Sequence, residues 1–376
     1  MAWIRGIGLT EFGRLPGFTA LDWQCRAANC ALLDAGVERH AIDGLIAGYA
    51  TTAGHLMPAN LLAERLAIRP AVAFGTSVGG ATGLAMLAQA AALVDAGRAR
   101  TVLVVAGEDR ASGQSTDASI HTLAQVGHAD YEVPLGATVP AYYALLASQY
   151  LHRYGLKVDA LAPLAVQMRE HARHHGGAHF REAITTSDVN ESRPIASPLR
   201  LLDCCPVSDG GAALVVSSEP SPRSVKVAGL GQAHRHQHVT EADFDDLGAA
   251  RAARQALQEA ATGIDGVDFF GIYDSFTITL ALLLEELALA PPGEAGARAA
   301  AGQFSGGGEL PLNTHGGLLS YGHSGVAGGL AHLVEAVTQL RGEAGGRQVK
   351  RVLRRALVHA DGGVLSAHVT AVLEAQ

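Results

Sequence analysis

The chain repeats itself. Gly79-Gly80-Ala81-Thr82-Gly83 and Gly322-His323-Ser324-Gly325-Val326-Ala327-Gly328-Gly329 are two glycine-rich elbows that lead into near copies of one helix. Gly83-Leu84-Ala85-Met86-Leu87 stands against Gly329-Leu330-Ala331-His332-Leu333, and Ala90 against Ala336. Ile42-Asp43-Gly44 and Ile264-Asp265-Gly266 introduce equivalent apolar runs. A duplicated α/β unit accounts for this echo, and 376 residues exceed what one ordinary core holds. The elbows differ in one respect that bears on chemistry. The second offers His323, whereas the first has only glycine where a nucleophile could stand.

Short β-rich runs alternate with Ala/Leu-rich helical runs, the pattern of an α/β fold with right-handed crossovers. Strands are predicted at Ala2–Gly8, Leu45–Ala50, Ala71–Ser77, Thr101–Ala106 and Ala212–Ser217. Helices are predicted at Ala20–Asp34, with Thr19 as N-cap, and at Ala81–Ala96, closed by Gly97. The second half repeats the scheme with strands at Ser224–Gly231, Phe269–Tyr273 and Arg355–Ala360. Its helices are Leu247–Ala261 and His323–Leu340. The reading is two βαβαβ-type halves, 1–220 and 221–376, joined at the proline-bearing segment Glu219–Arg223. A loop domain rich in His, Tyr and Ser is inserted at about 108–185.

Composition removes several function classes. Charged residues make up 17% and the formal net charge is −8, with no Lys/Arg run, which argues against nucleic-acid or anionic-membrane partners. No apolar stretch has the length of a membrane span. The first residues lack the basic segment and apolar run of a signal peptide, so a cytoplasmic, reducing compartment is expected. The 4 cysteines do not form a disulfide framework. His171, His174, His175 and His179 form a cluster in which 171 and 175 share one helical face. No carboxylate or thiol pattern completes a metal site there, and a solvated helix face is the expectation.

Four segments carry ionisable groups at element ends. Tyr273-Asp274-Ser275-Phe276 closes a strand and opens a helix. Pro311-Leu312-Asn313-Thr314-His315-Gly316-Gly317 approaches the second elbow, which holds Gly322, His323 and Ser324. His359-Ala360-Asp361-Gly362-Gly363 ends another strand. An elbow at a helix N-terminus presents free N–H groups and partial positive charge, suited to an oxyanion or enolate.

Together with Cys205-Pro206-Val207-Ser208-Asp209-Gly210-Gly211, these motifs resemble the thiolase superfamily over essentially the whole chain and in the family's order. The branch most similar is that of the sterol-carrier-protein thiolases. The resemblance implies a five-layer αβαβα arrangement of the two halves, a dimeric core, and acyl-coenzyme A substrates. It also marks a departure. Gly80 stands where the family has its nucleophilic cysteine, Tyr273-Asp274-Ser275-Phe276 replaces the Asn-Glu-Ala-Phe or His-Asp-Cys-Phe motif, and the second family cysteine falls at about His359.

Without a thiolate, the acyl-cysteine step of thiolysis has no nucleophile. Retro-aldol cleavage of a β-hydroxyacyl-CoA needs none, and some cysteine-less members of the superfamily catalyse it with a small OB-fold, zinc-ribbon partner subunit. The catalytic residues expected are His323 as base or oxyanion donor, Tyr273 as acid/base or hydroxyl donor, His359 lining the site, and Asp274. Gly80, Gly322, Ser324, Asn313 and His315 are expected around the ligand. Arg110 and Arg200 are candidates for coenzyme A contacts; coenzyme A itself belongs to the substrate, and no covalent cofactor is expected. A thiolase-type acyltransferase and a non-catalytic acyl-CoA-binding subunit remain as alternatives.

Overall fold

The computed structural model describes residues 1–376. The first half runs β1 (Trp3–Leu9), α1 (Ala20–Ala35), β2 (Gly44–Gly48), α2 (Pro58–Leu66), β3 (Val72–Thr76), α3 (Thr82–Asp95) and β4 (Thr101–Asp109). A helical insertion follows, with α4 (Thr116–Ala124), α5 (Val139–Tyr154), α6 (Ala162–Ala172), α7 (Thr186–Glu191) and the hairpin β5 (Pro194–Ala196)–β6 (Leu199–Arg200). The half closes with β7 (Asp209–Ser217). The insertion thus runs to Ser208, beyond the 185 expected from the sequence. The second half has β8 (Val225–His234), α8 (Ala249–Glu259), β9 (Phe269–Ile272), α9 (Thr277–Glu286), α10 (Ala295–Ala300), α11 (Gly317–Ser320), α12 (Val326–Leu340), β10 (Arg355–Gly362) and β11 (Ala367–Glu374).

The strands lie in the order β3-β2-β4-β7-β1-β8-β11-β10-β9. From the middle outward the two sides match. β1/β7 and β7/β4 are antiparallel and β4/β2 parallel, as β8/β11 and β11/β10 are antiparallel and β10/β9 parallel. Only Trp3 and Ile4 pair across the β1–β8 junction, so the sheet behaves as two leaves. Helices α3 and α12 pack on each other between the leaves, α1 covers the outside of one and α8 the outside of the other. This is the five-layer αβαβα arrangement, built from a duplicated unit whose second copy reduces the counterpart of β3 to a single parallel bridge, Leu312 to Phe270.

The outer layers fit by the same device in both halves. Gly6 and Gly8 of β1 lie beneath α1, and Gly229 and Gly231 of β8 lie beneath α8. A Cβ on any of them would overlap a helix carbonyl oxygen, of Ala31, Ala27, Ala256 and Ala252 respectively. Helix and strand backbones are therefore in direct contact, which no side chain permits. Thr19 caps α1 with a full capping box to Asp22, and left-handed Gly36 ends it, as its sequence signals require.

Two expectations change. Helix α12 starts at Val326 rather than His323. The backbone of His323 is held by Pro206 O (3.0 Å) and by Ser208 N–H (3.1 Å), and Gly325 turns through a φ of 52° before the helix begins. The histidine cluster is no solvated face, since α6 stops at Ala172, His171 is buried, and His179 Nδ1 lies 2.9 Å from Ser208 Oγ. Burial pushes His171 and His175 down to about 4. No helix is long and apolar enough to cross a membrane.

Gly229→Ala is expected to lower the unfolding free energy by about 1–3 kcal/mol through overpacking against Ala256. Urea unfolding against the wild type measures it, and an unchanged midpoint would contradict the backbone contact.

Candidate active site

Both elbows open into one cavity of about 230 Å³, bounded by Gly79, Gly80, Gly325 and the ends of β4, β9 and β10. In the first elbow Thr82 Oγ1 donates to Gly79 O (2.6 Å) and accepts from Val78 N–H (2.8 Å), fixing the turn ahead of α3. No backbone carbonyl accepts from the N–H groups of Gly80, Ala81, Ser324 or Gly325. Two helix N-termini thus offer donors and partial positive charge to the cavity.

Tyr273, at the end of β9, reaches across this space. Its hydroxyl lies 3.0 Å from His323 Nε2, with the rings edge-on. The same hydroxyl fills the place of a side chain at position 80. A Cβ on Gly80 would overlap Tyr273 Oη and come within 2.5 Å of Asp361 O. Position 80 is glycine because the tyrosine occupies its volume.

Burial holds the Tyr273 hydroxyl well above the ordinary phenol range, with the nearby Asp361 adding to the effect. Burial and the Arg110 guanidinium push His323 down to about 3, so its imidazole is neutral. These two groups share a hydrogen bond without either carrying charge near neutrality.

Asp361 was not singled out by the sequence reading, and it is the group most suited to proton transfer. It sits at the end of β10, 1% exposed, on the cavity wall. Oδ2 lies 3.3 Å from the Tyr143 hydroxyl, while Oδ1 has no hydrogen-bond partner. Burial pushes its carboxyl up to about 7 against the hydrogen bonds that favour the anion. The sequence signal was an aspartate at a strand end before two glycines. Tyr143 comes from α5 of the insertion and stacks on Phe276 at 4.3 Å, so the inserted segment forms one wall.

The other residues named from sequence are placed as follows. Asp274 points away from the cavity, accepting from Leu318 N–H (2.6 Å) and Leu319 N–H (3.3 Å), with His332 Nε2 3.5 Å away. It fixes the start of α11, so it is a positioning residue. His359 also faces elsewhere, with Nδ1 2.8 Å from Thr370 Oγ1 and Nε2 3.1 Å from His368 Nδ1 on the neighbouring strand. Asn313 clamps Ile272, accepting from its N–H (2.9 Å) and donating to its carbonyl (2.7 Å). His315 is fully buried beside Tyr321 and His332. Neither Asn313 nor His315 touches the cavity. Ser324 donates to Gly210 O (2.8 Å), and Gly322 passes close to Ser208 Oγ where a Cβ would not fit, so both tie the His323 loop to the turn before β7.

Of the two arginines, Arg200 donates to Ser192 O (3.0 Å) and stays in the insertion, whereas Arg110 lines the cavity. Glu108 lines it as well, its carboxylate taken by the N–H and hydroxyl of Thr51 (2.9 and 3.0 Å). The site therefore combines two helix N-termini, a neutral Tyr–His pair, one guanidinium and two carboxyls, Asp361 and Glu108, both raised by burial.

Known proteins share this frame. Residues 4–220 match the family described as thiolase, N-terminal domain, and residues 231–375 the thiolase C-terminal domain-like family. A steroid side-chain-cleaving aldolase of Thermomonospora curvata is 33% identical over 364 residues, covering 90% of each chain. An acetyl-CoA acetyltransferase of Methanothermobacter thermautotrophicus is 30% identical over 363 residues, covering 92% of each. The solved structure titled Ltp2-ChsH2(DUF35) aldolase superposes with a TM-score of 0.85 at 30% identity, covering 100% of this chain and 97% of that one. The relatives' names divide between carbon–carbon cleavage and acyl transfer, but the duplicated leaves, the facing elbows and the matched domains agree that this chain belongs to the thiolase family.

Proposed function

We propose that the protein is an acyl-CoA lyase that cleaves a β-hydroxyacyl-CoA by a retro-aldol reaction, giving a carbonyl compound and a shorter acyl-CoA. The observation that carries this reading is the Tyr273 hydroxyl in the volume of the missing nucleophile. The names of the aldolase relatives support it. The steps balance without a covalent intermediate. Asp361, ionised, takes the β-hydroxyl proton; the Cα–Cβ bond breaks, and its electron pair passes to the thioester as an enolate. The elbow N–H groups and the Tyr273 hydroxyl hold the developing oxyanion. The proton held by Asp361 returns to Cα, directly or through Tyr273, and the carboxylate is restored. His323 donates from its Nε2–H to the Tyr273 oxygen, which aims the hydroxyl and leaves its proton free for the oxyanion; pushed down to about 3, the imidazole is a positioning group rather than the base.

The same reading includes a homodimeric core, a small OB-fold/zinc-ribbon subunit beside it and a cytoplasmic setting. The two-protein title of the aldolase neighbour supports the partner. The acyltransferase alternative is disfavoured, since the space for an acyl-cysteine at position 80 is taken.

The deciding assay supplies β-hydroxyacyl- and β-ketoacyl-CoA thioesters with and without free coenzyme A, read by mass spectrometry. Cleavage of a β-hydroxy substrate independent of free coenzyme A is expected; coenzyme-dependent cleavage of only the β-keto substrate would overturn the proposal. Because the base must be ionised, kcat/KM rises with pH through about 7. Asp361→Asn loses that limb and about 10²–10⁴-fold of activity, to be checked by a pH–rate profile of both proteins. Gly80→Cys gains no thiolysis and unfolds at lower temperature than the wild type, as thiol-release assays and calorimetry will register.

A further inference from the structure

Arg110 follows β4 and is 8% exposed, yet its Nε has no hydrogen-bond partner and its charge reaches the Glu108 carboxyl without a direct ion pair. Of the cavity's carboxyls, Glu108 is held by Thr51, and Asp361 is held at Oδ2 by Tyr143 with Oδ1 left open. Glu108 on the same wall feels this charge from a distance, but no carboxylate pairs with the guanidinium directly, and its Nε donor is left open. Its planar fork matches a carboxylate with two parallel hydrogen bonds. The charge acts on His323, Cys205, Tyr49 and Glu108, all of which line the same cavity as Gly80 and Tyr273.

We propose that Arg110 binds a carboxylate on the acyl portion of the substrate, so that the thioester cleaved here is a half-thioester of a short dicarboxylic acid. This rests on the lyase reading for the reaction, but not for the binding. The phosphates of coenzyme A are held a full pantetheine arm from the thioester, so a cation beside the reacting pair meets the acyl chain instead. The cavity, at about 230 Å³, is below the roughly 300 Å³ where pockets for drug-sized ligands begin, and it suits a short acyl chain.

The test is calorimetric binding to the purified protein, with any co-purifying subunit retained. The probes are succinyl-CoA against butyryl-CoA, glutaryl-CoA against pentanoyl-CoA, and free coenzyme A. A preference of at least about tenfold for one carboxylated member is expected, the scale of a charged hydrogen-bonded pair. Arg110→Gln should abolish that preference and leave butyryl-CoA and free coenzyme A binding unchanged, while Arg110→Lys keeps part of it. Equal affinity within both pairs in the wild type would overturn the proposal. So would an Arg110→Gln protein that loses affinity for free coenzyme A as much as for the carboxylated thioesters, which would assign the cation to the phosphates. Because binding is read without turnover, absence of retro-aldol cleavage would sink the lyase reading and leave this result standing.

Discussion

The contact on which the rest of the molecule depends is the close crossing of α3 and α12. A Cβ on Gly83 would stand 3.0 Å from Leu330 N, and one on Gly329 would stand 2.8 Å from Gly80 O. With glycine at both places, the helices meet near their first turns, and their N-termini converge on one space. The leaves of the sheet follow their helices, so β4, β9 and β10 deliver Arg110, Tyr273 and Asp361 at neighbouring C-terminal strand ends. In open α/β folds that edge is where ligands bind. Here two copies of the edge face each other, and one cavity collects residues from both.

That cavity sorts its ionisable groups by burial. Desolvation raises Tyr273, lowers His323 and moves Asp361 to about 7. The first two are left neutral and the third is left titrating in the working range of a general base. Pairs of groups pushed apart in this way mark acid and base roles. The hydrogen bond between Tyr273 and His323 then orders the hydroxyl without contributing charge, and the helix N-termini supply the field for an enolate.

The duplication was legible because glycine and alanine spacing records backbone contact. The echo of α3 in α12 is visible in sequence for the same reason that those helices touch. The missing nucleophile was legible too, and Tyr273 lies on the cavity where its strand-end position put it. The direction of side chains was not legible. Asp274 stands just past a strand end as expected but turns toward the start of α11, whereas His359 lies within β10, which continues to Gly362, and faces Thr370 and His368. Asn313 and His315 are polar residues in a glycine-rich loop, a pattern shared by ligand loops and by loops whose polar groups satisfy their own backbone. Asp361 escaped notice beside His359, the position matched to the second family cysteine, because only the fold reveals an unpartnered Oδ1. Strand β11 escaped because Ala367–Glu374 mixes small, polar and branched residues without a clean alternation, being covered on both sides.

Gly80 and Tyr273 fill one volume from opposite walls, and this restricts how such a chain can change its chemistry over time. A cysteine arriving at position 80 collides with the ring already present. A smaller residue arriving at position 273 leaves a hole with neither nucleophile nor hydroxyl. Each single replacement leaves a disabled protein, so in this chain the two positions change function only together. For this chain, a change from lyase to acyl-transferase chemistry is then a barrier of two coupled codons rather than a gradual slope.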